Sequence, residues 1–201
     1  MKRFDSAYIL AGGKSSRFGE NKALVSVLGE PLIVRLAKQL ASDGVRATLV
    51  VQSLSDYSEL GLPMIEDGVS PAGPLAGVLA AICDSHRFGM EWCIVGSCDM
   101  LDWRPEWGEV LVSAVRSCPD ANAAVLSDGT ADEFRPFPGL YRSVLCELGF
   151  GLWRDGVRSM REFHRRLSGT VKKCLVEPDL LPKSFNTRSE LERLLTEKEP
   201  N

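Results

Sequence analysis

What most constrains the fold of this chain is an alternation: strand-length apolar runs take turns with stretches of helical period along the sequence. AYILAG (7–12) reads as a buried strand, and EPLIVRLAKQLASDG (30–44) as a helix with Leu32, Ile33, Leu36, Ala37 and Leu40 at spacings of three and four. Pro31 near the first turn and Gly44 past the last are the residues that start and stop a helix. Strands are expected at 46–52 and 63–67, a helix at 73–86, and at 92–97 the unbroken run WCIVGS, the pattern of a strand covered on both faces. A helix from Pro105 to about Cys118, a strand ANAAVL, an Asp-Gly turn at SDGT and an extended PFPGLY with a short helix follow. RSMREFHRRL is amphipathic, with Met160, Phe163, His164 and Leu167 on one side; TVKKCLV is a last strand, and Thr187 with Glu190 forms a capping box before the final helix. Such alternation predicts an α/β, Rossmann-like three-layer sandwich with a mostly parallel central sheet. At 201 residues, 1–201 is expected to be a single domain.

Composition narrows the function classes. A net charge of -3 argues against nucleic acid as a partner, so any bound anion must be met by local groups. No stretch approaches the ~20 apolar residues of a membrane span, and the run after MKRFDS is too short for a signal segment, so no membrane partner and a cytoplasmic location are expected. The six cysteines are scattered without a C-x-x-C pair, and His86 and His164 fall at no zinc-finger spacing; reduced thiols are expected throughout.

Open parallel sheets bind ligands beyond the carboxyl ends of their strands, which makes the segment from Gly12 to Lys22 a binding candidate. Two familiar phosphate loops fail the test. Gly13, Lys14 and Ser15 end like a Walker loop, but Tyr8 stands where its first glycine belongs. A dinucleotide fingerprint needs G-x-G-x-x-G, whereas Gly12 and Gly13 are adjacent and the next glycine is Gly19. What remains is a glycine pair open to close backbone approach, then Ser15, Ser16, Arg17 and Lys22, a set suited to an anion nest flanked by cations. A solubilising surface turn is the plain alternative.

Asp99 follows the most apolar run and Asp67 a shorter one, so both are expected at strand ends. A nucleoside triphosphate reacting at phosphorus needs Mg²⁺, which is commonly held by one or two carboxylates with phosphate and water. Asp99 is the better candidate ligand; for either residue a cap or turn role is the alternative. Gly73, Pro74 and Gly77 in SPAGPLAGV form a second glycine-bearing turn, fit for a flat base near the backbone or for packing on the sheet. Asp102 and Glu106 are expected to be solvated, and Glu66 to face away from Asp67.

Taken together, LAGGKSSRFGENK, ED before GPLAG, CDM after a buried strand, RPFPGLYR, GVRSMREF and FNTRSEL resemble, in order along nearly the whole chain, the molybdenum cofactor guanylyltransferases, a MobA-like nucleotidyltransferase family. The resemblance implies the nucleotidyltransferase fold, with a nucleotide half at about 1–102 and an acceptor half at about 103–201. It also implies a Mg²⁺-dependent reaction, in which GTP and the molybdopterin cofactor give the guanine dinucleotide cofactor and pyrophosphate. By the same resemblance, Leu10, Ala11, Gly12 and Gly13 offer nucleotide-binding backbone, Arg17 and Lys22 are phosphate-facing catalytic cations, and Gly73 and Pro74 border the nucleotide. Asp67 contacts the nucleotide, Asp99 is both catalytic and the metal ligand, and Asn186 belongs to the acceptor side. Gly13 favours guanine, since cytidylyltransferase relatives look like LAAG there. Transient contact with molybdoenzymes or cofactor-insertion proteins is a further implication.

Two positions depart from the family pattern: Gln52 stands where Asn commonly contacts the base, and Ser184 replaces the first Asn of an N-x-N-T pattern. A nucleotidyltransferase for another base or a sugar or alcohol phosphate is therefore the rival within the fold. A non-catalytic nucleotide- or cofactor-binding accessory protein is the rival outside it.

Overall fold

The computed structural model describes residues 6–12, 18–68, 73–130, 135–167 and 170–197. Its strands are β1 (Ser6–Leu10), β2 (Ser26–Val27), β3 (Glu30–Pro31), β4 (Arg46–Val51), β5 (Met64–Glu66), β6 (Trp92–Ser97), β7 (Ala123–Ser127), β8 (Gly139–Arg142) and β9 (Val171–Leu175). The helices are α1 (Leu32–Ser42), α2 (Pro74–Arg87), α3 (Pro105–Arg116), α4 (Leu145–Arg154), α5 (Met160–Arg166) and α6 (Arg188–Thr196), with short 3-10 turns at Lys22–Leu24, Leu54–Leu60 and Pro178–Leu180.

Seven strands form one sheet in the order β5-β4-β1-β6-β8-β7-β9, and β2 and β3 pair separately as a small hairpin. Pairing is parallel except where β8 runs against β6 and β7. PFPGLY thus supplies the reversed strand, and strands from before and after residues 102 and 103 share the one sheet.

The period-2 alternation of the strands splits the core into two layers. Ala7, Ile9, Leu49, Val51, Ile94 and Leu126 pack with α1, α3 and α6 on one face. On the other, Tyr8, Leu10, Val50, Cys93, Val95 and Tyr141 pack with α2, α4 and α5. β6 divides its run WCIVGS between both layers, which is why the run carries no polar break. The capping box is present, Thr187 Oγ1 accepting from the Glu190 backbone and Glu190 accepting from Thr187 N–H.

Two expectations are corrected. Cys83 on α2 and Cys146 on α4 form a disulfide, with Cα atoms 4.9 Å apart, so these two are not free thiols. A sequence separation of 63 hides the pairing; the packing of α2 against α4 creates it. Cys93, Cys98, Cys118 and Cys174 are free, and burial pushes the Cys93 thiol up to about 12. Asp102 is not a solvated residue: its side chain is 14% exposed and lies 3.8 Å from Arg35 of α1, because the chain after β6 folds back over that helix. Glu106 is exposed, as expected.

Candidate active site

The chain builds β1, β4 and β5 outward in one direction and then returns to place β6 on the other side of β1. The crevice where strand order reverses lies between β1 and β6, with Leu10 opposite Ser97 at its floor. Gly12 emerges two residues beyond β1, Gln52 one beyond β4, Asp67 one beyond β5 and Asp99 two beyond β6. Four sequence-predicted positions therefore share one edge of the sheet.

On the β4–β5 side the elements meet closely. Asp67 N–H donates to Val51 O at 2.9 Å, extending the strand pairing to the carboxylate-bearing residue itself. A Cβ added at Gly12 would lie 3.2 Å from Gln52 Cγ and 3.4 Å from Asp67 Oδ2, so glycine lets these three residues form a continuous wall. Glu66 is exposed, and its Oε1 accepts from Leu54 N–H at 3.3 Å. Leu10 O accepts from Cys98 N–H, Ala11 N–H donates to Val50 O, and Ala11 O accepts from the Tyr57 hydroxyl, so these groups serve the fold and position Gly12.

Gly73 and Pro74 open α2 at the same edge, Gly73 with φ +69°, a conformation glycine adopts at no steric cost. Gly77 serves packing: a Cβ there would come within 2.8 Å of Leu10 Cδ2, so its absence lets α2 settle on the end of β1.

On the β6 side the site is stitched from distant sequence. Cys98 N–H donates to Leu10 O at 3.0 Å, continuing the β1–β6 ladder to the threshold of Asp99. Residues 183–185 then run antiparallel to 99–101: Met100 bridges Ser184, and Phe185 N–H donates to Asp99 O at 3.2 Å. This brings in Lys22, whose ammonium donates to Phe185 O at 2.8 Å and to Asn186 Oδ1 at 3.3 Å, with the Phe185 ring centroid 5.4 Å away. Lys22 is only 9% exposed, and its ammonium also lies 6.0 Å from the Phe18 ring centroid. Burial, with help from the Asp99 charge and against that of Lys22, pushes the neighbouring Cys98 thiol up to about 12, which keeps it protonated and unsuited to nucleophilic work. Lys22 and Asn186 thus meet beside the backbone of Asp99, although Lys22 and the carbonyl that receives it are 163 positions apart. Gly13 and Arg17 lie outside the described residues.

Sequence reasoning missed three contributors. Phe185 acts through its carbonyl, which no side-chain pattern announces. Asn21 caps the turn that carries Lys22, its Oδ1 accepting from Ala23 N–H at 3.1 Å; an N-cap residue type directly before Lys22 was the available signal. Tyr57 joins Asn21 to Ala11 from a segment with no motif of its own.

The MobA-like NTP transferase domain model matches residues 7–184. The chain belongs to the MobA-like NTP transferase family. Within it, the chain is 31% identical over 157 residues to a probable molybdenum cofactor guanylyltransferase of Opitutus terrae, covering 77% of this chain and 75% of that one. A protein of the same name from Bacillus anthracis is 31% identical over 159 residues, covering 76% and 75%. The fold matches the crystal structure of molybdopterin-guanine dinucleotide biosynthesis protein A from Archaeoglobus fulgidus with a TM-score of 0.77, at 20% identity and over 95% of this chain and 97% of that one. The expected three-layer nucleotidyltransferase fold and the family resemblance are both borne out.

Proposed function

We propose that this family member is a molybdenum cofactor guanylyltransferase, which transfers GMP from GTP to the phosphate of the molybdopterin cofactor and releases pyrophosphate. The curated relatives bearing that name support the reading. The observation that carries it is the convergence of Gly12, Gln52 and Asp67 on one side of the switch-point crevice and Lys22 and Asp99 on the other.

In this reading the base and ribose lie along the Gly12–Gln52–Asp67 wall, bordered by Gly73 and Pro74, and the triphosphate crosses the crevice toward Lys22. A phosphate oxygen of the acceptor attacks the α-phosphorus, a new P–O bond forms, and the bond from the α-phosphorus to the bridging oxygen breaks with its electron pair leaving on pyrophosphate. The protein's work is to align the two phosphates and to offset the charge that builds on the oxygens. The buried Lys22 ammonium meets that demand with little reorganisation, and Arg17 is assigned the same role. The donor set suits Mg²⁺ arriving with GTP rather than a resident ion, since among the described residues no cluster of three or more ligating side chains exists and Asp99 stands as one carboxylate. When bound, that ion would neutralise and orient phosphate oxygens. Asn186 is assigned to the acceptor side, where it borders Lys22, and the chain acts as one domain with its nucleotide and acceptor halves meeting at this contact. Among the described residues no helix is long and apolar enough to cross a membrane, and the reaction is assigned to the cytoplasm.

Gln52 favours keeping a second reading, a transferase of the same fold using another base or phosphorylated acceptor. The deciding experiment is a thermal-shift panel with GTP, CTP, ATP and UTP, with and without Mg²⁺, followed by pyrophosphate release with molybdopterin or sugar phosphates. GTP-selective, Mg²⁺-dependent stabilisation and pterin-dependent release are expected; release with a sugar phosphate and none with the pterin would overturn the first reading.

A further inference from the structure

One phenol holds together the place where the chain leaves β1 and the turn that carries Lys22. Tyr57 is 5% exposed in the 3-10 segment after β4. Its hydroxyl donates to Ala11 O at 2.8 Å and receives Asn21 Nδ2 at 2.8 Å. Asn21 in turn accepts from Ala23 N–H through Oδ1 and so caps the Lys22 turn. A phenol has a single proton; with that proton on Ala11 O, an Asn21 amide donating to the phenol and a carbonyl oxygen capping the turn satisfies each group. Burial holds the Tyr57 phenol above its ordinary pKa, so it keeps that proton at working pH.

We infer that Tyr57 is a positioning residue for the phosphate-facing cation, acting through Asn21 to fix the Lys22 turn against the end of β1. This rests on the proposed role of Lys22 in phosphoryl transfer. The Lys22 ammonium already makes a 2.8 Å bond to Phe185 O at the far side of the crevice, so the turn is fixed at both ends of the lysine: by Asn21 at the backbone and by Phe185 at the tip. Displacement of a catalytic group by about 1 Å lowers the rate by up to ~100-fold, so loss of one anchor reaches the chemistry without touching substrate.

The test uses Tyr57→Phe, which keeps the buried ring and deletes only the hydroxyl, and Asn21→Ala, which breaks the same chain of bonds from its other end. Both are compared with Lys22→Ala and with the Tyr57→Phe/Lys22→Ala double variant by GTP- and pterin-dependent pyrophosphate release. Expected is a fall in kcat of about tenfold for each single anchor variant, with KM for GTP within about twofold and the melting temperature lowered by only a few degrees, roughly what one lost buried hydrogen bond or cap costs. The double variant is expected to be no slower than Lys22→Ala alone, since a misplaced lysine cannot matter once it is absent. Asn21→Asp, which retains a cap acceptor but presents no N–H to the phenol, is expected to keep most of the loss seen in Asn21→Ala; recovery to wild-type kcat would show that the cap alone, without the phenol, holds the turn. Wild-type kcat in Tyr57→Phe, or losses that simply multiply in the double variant, would overturn the inference. If the wild-type protein releases no pyrophosphate under these conditions, the reaction assignment has failed instead, and hydrogen exchange over 18–25 decides the anchor: faster exchange in Tyr57→Phe supports it, and unchanged exchange refutes it.

Discussion

The two sides of the crevice are built by different means. The wall of Gly12, Gln52 and Asp67 comes from the ends of neighbouring strands within the first 67 residues, and its closeness depends on one missing Cβ and an extension of β-sheet pairing. The opposite side joins Lys22 to Asp99 and to residues 185 and 186, so its geometry exists only after the C-terminal segment has paired with the chain leaving β6. A wall set by backbone register suits recognition of a flat, rigid base. A buried cation held by a carbonyl suits charge offset in the reacting part of the ligand. The two sides should therefore fail differently when altered, the first in affinity and selectivity, the second in rate.

The sharpest test is at Asp99. Asp99→Ala is expected to abolish Mg²⁺-dependent pyrophosphate release while keeping part of the GTP-induced thermal shift; wild-type turnover would remove Asp99 from the chemistry. Lys22→Ala comes next, with an expected loss of more than tenfold in kcat, about 1.4 kcal/mol or more in the barrier. A rise in KM alone would move Lys22 to the recognition side and break the contrast. Gly12→Val puts branched carbon where even a Cβ lies 3.2 Å from Gln52, and is expected to raise KM for GTP by about tenfold with a smaller change in kcat. Should kcat carry that loss, the glycine wall belongs to the reacting end of the nucleotide. The smallest effect is expected from Gln52→Asn, which withdraws an exposed amide by one methylene: about a threefold change in the kcat/KM ratio of GTP to CTP, ~0.6 kcal/mol, read in competition assays. No change in that ratio would place the base away from Gln52.

Much of this arrangement was legible in the sequence, and the reasons are local. β1, β4, β5 and β6 announce themselves through apolar runs of the right length, and a parallel sheet obliges the residues after them to share one edge. Asp67, Asp99 and Gly12 could therefore be assigned to a common edge from the sequence pattern, while Gln52 was added by the family resemblance. The disulfide between Cys83 and Cys146, the half-buried setting of Asp102 beside Arg35, and the roles of Tyr57 and Phe185 could not. Each depends on how two elements far apart in the chain pack, and packing angle leaves no periodic trace in composition or spacing.

The sequence by itself determined the layered α/β architecture, the capped terminal helix and which strand ends carry carboxylates, because period, length and turn chemistry act over a few residues at a time. Only the tertiary structure decided where the Lys22 ammonium rests: its place beside the Phe18 and Phe185 rings and its bond to a backbone carbonyl 163 positions away are set by long-range packing. A sequence fixes which groups are available, and the free energy of burying apolar surface while satisfying every enclosed polar atom selects which of them meet.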